Sequence, residues 1–354
     1  MLYRLFIILC FGICTACQQA ETATLIEVPP VDTLPTWGQD VLSAAVQQQE
    51  AFSHELYILS LPKLAVDSHS LAQIQLRALA AGSQKSLQKV YNRISTPQNL
   101  REKTKHLDLS YQNIHFIPNK VTNYPNLRYL SLKSNRIQAI NPKLMHCKNL
   151  KKLDLSSNGL KQIPFGLIYV KQLEELVLAD NSLSSLPSYF FNLNNLKMVD
   201  ISNVHSGMAE YYNKIQTFPS VLLRMPNVEK LFLEKLPLKS LPSNLNKMRG
   251  LKVLSINGNR MMRLNQAFEV LSKIPDLVAL DLSFIGRRTL PKNIAKLQQL
   301  KVLVWHEENQ MNRAYIQETL QQLLPNTKIY FGQRGVATPF LRGNSISTIR
   351  KAGY

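Results

Sequence analysis

A chain of 354 residues is long enough for two ordinary domains or one elongated array. Its 45% hydrophobic content excludes both a disordered polymer and a membrane protein with many spans. The 42 Lys and Arg against 23 Asp and Glu give a formal net charge of +19, which points to nucleic acid, anionic lipid or acidic polymers until the placement of the charges is read.

The chain opens with the grammar of an export signal. Arg4 supplies a positive start, Leu5 to Ile13 form a short apolar run, and Cys14-Thr15-Ala16-Cys17 follows. A run this short cannot cross a bilayer core of roughly 30 Å as a helix. The segment resembles a bacterial lipoprotein signal, in which a small residue precedes a cysteine that becomes the lipidated first residue. Ala16 before Cys17 fits and Thr15 is acceptable, whereas Cys14 stands where leucine is usual. The resemblance implies a signal peptide over 1–16 and lipidation at Cys17. An ordinary secretory signal cut nearby is the alternative. With Cys17 as the mature start, Cys147 is the one remaining thiol, so stability has to come from a large core rather than from disulfides.

Residues 17–37 read as a tether, because Pro29, Pro30 and Pro35 oppose regular structure. Residues 38–103 read as a helical N-terminal region and cap. Their first part, 38–82, is rich in glutamine and alanine and is either an extension of the cap or a small subdomain. The cap itself is an amphipathic helix over Ser83 to Ile94, broken at Thr96-Pro97.

From 104 to about 325 the sequence repeats itself. Units start at Leu127, Leu150 and Leu173, each 23 residues after the last. The frame runs back to Thr104 and forward through Leu196, Val228, Leu251, Leu277 and Leu300, with two longer steps of 32 and 26 residues. Counting each unit from zero, apolar residues at offsets 3 and 5 (Leu153, Leu155) alternate as one face of a short strand. Apolar residues return at offsets 10 and 13 (Leu160, Ile163), often followed by proline, as at Pro118, Pro164, Pro187 and Pro242. Later pairs spaced by three, such as Leu167 and Val170, suit a helical turn on the opposite side of the coil. No unit can bury its apolar edge alone, so stacking is required, with the strands side by side in a parallel sheet.

Offset 8 is asparagine in Asn135, Asn158, Asn181 and Asn259, where a buried amide can satisfy backbone groups of successive turns. Val204, Leu236, Ile285, Gln112 and Glu308 take that offset in the other units, and the ladder is expected to be irregular there. The units read LxxLxLxxNxLxxLP, and the chain resembles the 23-residue class of leucine-rich repeats. That resemblance covers roughly 84–331 and implies an α/β solenoid: a curved parallel sheet on the concave side, short helices and turns on the convex side, and a helical N-terminal cap. It also implies a binding scaffold rather than an enzyme.

Downstream, Tyr315 to Leu324 reads as a helix, 326–331 as a closing cap strand, and Trp305 as a filler where the core ends. The basic tail, 332–354, carries Arg334, Arg342, Arg350 and Lys351 with no acidic residue, and is expected to be flexible. An insertion of nine residues, His205 to Asn213, brings Tyr211 and Tyr212, which either anchor a partner or pack on the adjacent turn. Three extra residues between Leu264 and Leu277 lengthen a convex helix.

Offsets 2, 4 and 6 face the concave side, with offset 7 at the rim. The acids there are Asp108, Asp154, Glu175, Asp180, Asp200, Glu234, Asp281 and Glu307, and the bases only Lys133, Lys152, Lys230 and Lys235. Residues 101–354 hold 36 basic and 16 acidic residues, so half the acids but one ninth of the bases fall on this face. Nucleic acid in the groove would need cations there, which argues against it. Asp-Leu-Ser is a common strand sequence in the repeat family, so part of the acidic column can be generic. Tyr129, Met198, Phe232, Phe284 and His306 add an aromatic and apolar subset of the kind that anchors protein partners.

Seven histidines show no metal-ligand spacing, and no phosphate loop, dinucleotide fingerprint or nucleophile elbow occurs. No cofactor is expected. The leading expectation is a cell-envelope lipoprotein, at the outer membrane or cell surface, that binds a protein through its concave face. The alternatives are a periplasm-facing organiser whose basic flanks meet anionic polymer or lipid, and a soluble secreted effector.

Overall fold

The computed structural model describes residues 97–140, 142–204, 211–286, 291–306 and 313–331. The expected signal, tether, Ser83–Ile94 cap helix and basic tail lie outside these residues. The repeat alternation builds ten three- or four-residue strands: β1 His106–Asp108, β2 Tyr129–Ser131, β3 Lys152–Asp154, β4 Glu175–Val177, β5 Met198–Asp200, β6 Lys230–Phe232, β7 Val253–Ser255, β8 Ala279–Asp281, β9 Val302–Trp305 and β10 Lys328–Phe331. All pair in parallel and in sequence order. The register holds through both long units: Met198 pairs with Lys230 across the insertion, and Val253 with Ala279 across the lengthened helix.

Opposite the sheet, single 3-10 turns close most units, for example Asn119–Asn123, Phe165–Tyr169 and Ser188–Asn192. Proline sits immediately before each of these three. Its fixed φ starts the turn, and its carbonyl accepts the first bond, as Pro118 does from Val121 N at 3.0 Å. The short helix α1, Gln98–Lys103, follows directly on Pro97. The three-residue excess becomes the helix α2, Leu264–Leu271, with Leu264, Phe268 and Leu271 buried. The described residues close with α3, Arg313–Leu323, and with β10 against β9. Trp305 is buried at the end of the core, as its offset implied.

Leucine, isoleucine and valine at offsets 3 and 5 form one continuous core from Leu107 to Leu303. Two rows of side-chain amides bind the turns that this core cannot satisfy. In the inner row, Asn181 accepts from Asn158 N (3.1 Å) and Leu160 N (3.0 Å) and donates to the carbonyls of Leu155 (3.0 Å) and Leu178 (2.9 Å). Asn135 and Asn158 likewise join neighbouring units. At the insertion, the expectation that Val204 breaks this row is corrected. Asn213 takes the position instead, accepting from Leu183 N and donating to Leu178 O and Ile201 O. The nine extra residues therefore precede the asparagine of their unit and leave the row intact. At Asn259 the amide donates to Leu233 O and Ile256 O, but its oxygen has no partner.

The outer row, which the sequence reading passed over, lies one residue before the units that start at Leu127, Leu150, Leu173, Leu196 and Val228. Asn126, Asn149, Gln172, Asn195 and Asn227 each donate to a backbone carbonyl of the unit before, from Glu102 to Asn194, at 2.8 to 2.9 Å.

The turn after β1 to β4 and β6 to β8 enters the left-handed region at offset 7. Tyr111, Ser134, Ser157, Asp180, Lys235 and Phe284 do so with φ of 51 to 58°, and Gly258 with φ 70°. Side chains accept this costly conformation because the flanking strands fix the turn. The consequence is a row of side chains held at the rim of the sheet.

Candidate binding face

The pleat sends offsets 2 and 4 to the face opposite the core. Over β1 to β4 that face is part-exposed and polar. Lys152 pairs with Glu175 at 2.9 Å, and its ammonium lies 5.4 Å from the Tyr129 ring centroid. Burial, then the nearby Asp154 charge, raises the Tyr129 pKa. Lys133 sits part-exposed at the rim beside them.

From β5 onward the face changes character. Met198, Phe232, Val253, Val278, Ala279, Val302 and Val304 form a second apolar cluster, separate from the core, with Val177 and Tyr330 at its margin. Phe232, Val253, Ala279 and Val302 are fully buried. The sequence reading placed Met198 and Phe232 here but missed the valines and Ala279. Their signal was the loss of polar alternation in KVLSI, VALDL and KVLVW.

Carboxylates are set into this apolar patch. Asp200, Glu234 and Asp281 are all buried on the sheet side. Four aspartates of the acidic column have a local duty, because each accepts the backbone amide two residues on: Ser110, Ser156, Ser202 and Ser283 donate to Asp108, Asp154, Asp200 and Asp281. The Asp-x-Ser pattern therefore first shapes the turn. Asp180 similarly accepts from Val204 N at 2.7 Å. Burial lowers the Lys230 pKa beside this patch.

At the rim, Phe284 lies 4.7 Å from His306 between ring centroids. Tyr211 and Tyr212 stand apart from the patch and are half-buried on neighbouring turns. The Tyr212 hydroxyl donates to Lys235 O at 3.1 Å, and a Cβ on Gly159 would fall 2.5 Å from the Tyr211 ring. Asn203 and Asn213 exchange two bonds at the base of the insertion, 2.7 and 3.0 Å. A shallow recess of about 370 Å³ opens beside Tyr212, Lys235, Arg260 and Met261.

On the flank, several lysines are held in ion pairs. Glu174 bridges Lys151 (2.7 Å) and Lys197 (2.8 Å), and Lys252 pairs with Glu229. The bonds from Lys151 and Lys197 hold the Glu174 carboxyl below its usual range. Among the described residues, no group of three or more His, Cys, Asp and Glu could hold a metal ion, and no helix is long and apolar enough to cross a membrane.

A ladder of parallel strands backed by single turns, bound by amide rows, with a patterned open face, defines a repeat solenoid. The family model described as leucine rich repeat matches residues 102–160 and 148–205. The repeats over 102–205 match the leucine-rich-repeat family, whose scaffold is suited to binding proteins. No curated protein matches it in sequence. Among solved structures, a leucine-rich-repeat protein of Leptospira interrogans aligns at 20% identity over 66% of this chain and 74% of its own, with a TM-score of 0.37. The TLR13–ssRNA13 complex aligns at 23% identity over 58% of this chain and 33% of its own, with a TM-score of 0.45.

Proposed function

We propose that this protein is an exported, lipid-anchored scaffold of the bacterial cell envelope that captures a protein partner on its concave face. The observation that carries the binding reading is the apolar patch over β5 to β9 with Asp200, Glu234 and Asp281 set into it. Such a surface favours a partner segment that combines apolar side chains with positive charge. Phosphate backbones would meet carboxylates there, so nucleic acid is disfavoured. Anchoring rests on Cys17 and its context, and diacyl modification there suffices for stable membrane attachment.

The flank-binding reading has less support at Lys151, Lys197 and Lys252, which are already held in ion pairs. Two experiments test the proposal. Labelling with a radioactive fatty acid in a bacterial host should mark the wild type and not Cys17→Ala, and an unlabelled wild type ends the lipoprotein reading. Crosslinked partners recovered from envelopes should be lost with Glu175→Lys and Glu234→Lys, yet kept with Lys151→Glu and Lys197→Glu. The reverse pattern would move the interface to the flank.

A further inference from the structure

The patch over β5 to β9 is closed to water, yet among the described residues no second layer of helices or strands lies over it. It also contains acceptors in need of donors. The Ser255 hydroxyl oxygen and the Asn257 side-chain oxygen are buried without a hydrogen-bond partner, and alternation aims both at this face. Buried acceptors of this kind are costly unless a donor reaches them. Asp200, Glu234 and Asp281 stand around them, so the occupant should bring positive, multiply donating groups beside apolar ones.

We propose that the occupant is the chain's own C-terminal segment, residues 332–354, docked along the concave face across β5 to β9 so that a partner must displace it. Its composition is complementary: Arg334, Arg342, Arg350 and Lys351 with no acid, and a Phe340-Leu341-Arg342 run that joins two apolar side chains to a guanidinium. The N-terminal stretch 18–96 has the wrong sign, with acids at 21, 27, 32, 40, 50, 55 and 67 against bases at 63, 77, 85, 89 and 93. Reach is sufficient. The segment starts where β10 ends at Phe331, four strand spacings or about 19 Å from β6. Arg342 lies 11 residues further on, about 36 Å of extended chain. This inference rests on the concave face being the binding surface, and it adds regulation: the partner competes with a built-in mimic of itself.

The test uses the full chain with a benzophenone amino acid in place of Phe340, irradiated at high dilution, with the crosslinks mapped by mass spectrometry. Crosslinks within one chain to Phe232, Val253, Ala279 or Val302 are expected, and Arg342→Glu in the same chain should cut their yield about tenfold, the loss of one buried charge-assisted contact. Crosslinks between copies, crosslinks confined to other surfaces, no crosslinks, or a yield indifferent to charge reversal would each overturn it. No partner is needed, so failure here leaves the partner-binding reading to its own experiment.

Discussion

Asn181 and Asn259 occupy the same offset, and the difference between them measures what the inner amide row contributes. Asn181 uses both ends of its amide on two neighbouring units, whereas the Asn259 oxygen has no partner. Asn181→Ala orphans buried amides and carbonyls alike, at a cost of about 3 kcal/mol, and Asn259→Ala should cost about 1 kcal/mol less. Urea unfolding of the two variants checks the order, and equal losses would mean that the carbonyl bonds alone matter. Cys147 offers a second residue-scale test. Burial pushes its thiol from an ordinary 9.0 up to about 11. The unfolded thiol therefore ionises first, the folded state holds the extra proton above pH 9, and stability falls as pH rises from about 9 to about 11. The full loss is about 3 kcal/mol. Stability measured against pH should show a shallower alkaline decline in Cys147→Ala than in the wild type, while parallel curves would contradict the assignment. This cysteine was legible as a core residue from its offset alone. Asn213 was not, because counting offsets straight through the insertion put Val204 in its place.

At the scale of an element, the unit is a short strand, a left-handed turn and a 3-10 turn, and its tightest point is where consecutive turns touch. A Cβ on Gly166 would land on the carbonyl oxygen of Ile140, which is backbone and cannot rotate away. Gly166→Ala should therefore push the Phe165–Tyr169 turn off the turn before it and cost about 2 to 3 kcal/mol. At Gly159 the atom in the way is the Tyr211 ring, so Gly159→Ala should displace the end of the insertion more than the solenoid. Thermal unfolding separates them: a larger drop for Gly159→Ala than for Gly166→Ala would refute this assignment of contacts. The strands and their register were readable because leucine repeats at fixed offsets. The second apolar cluster was harder to see, since Val253, Ala279 and Val302 stand at positions that an open sheet normally leaves to polar residues.

The whole molecule is a one-dimensional array, in which each strand touches only its neighbours and stability is a sum of units and interfaces. Its ends are unequal. β10 closes against β9 and packs with α3, while β1, whose outer positions are exposed, is preceded among the described residues only by α1, a six-residue helix with no buried side chain. Leu109 and Leu178 are both fully buried at offset 5, so their truncations remove the same side chain from the same kind of site. Leu178 lies between two complete neighbours, and Leu178→Ala should cost about 3 kcal/mol in global unfolding. Leu109→Ala weakens a terminal unit that can open without the rest, so its effect should appear as local exchange rather than as a shifted global midpoint. Hydrogen exchange followed by mass spectrometry decides between these. Amides of 105–111 should exchange at least about tenfold faster than those of 174–180 in the wild type, and Leu109→Ala should widen that gap. Uniform exchange along the array would instead show that residues before Pro97 cap β1 as firmly as α3 and β10 close the other end.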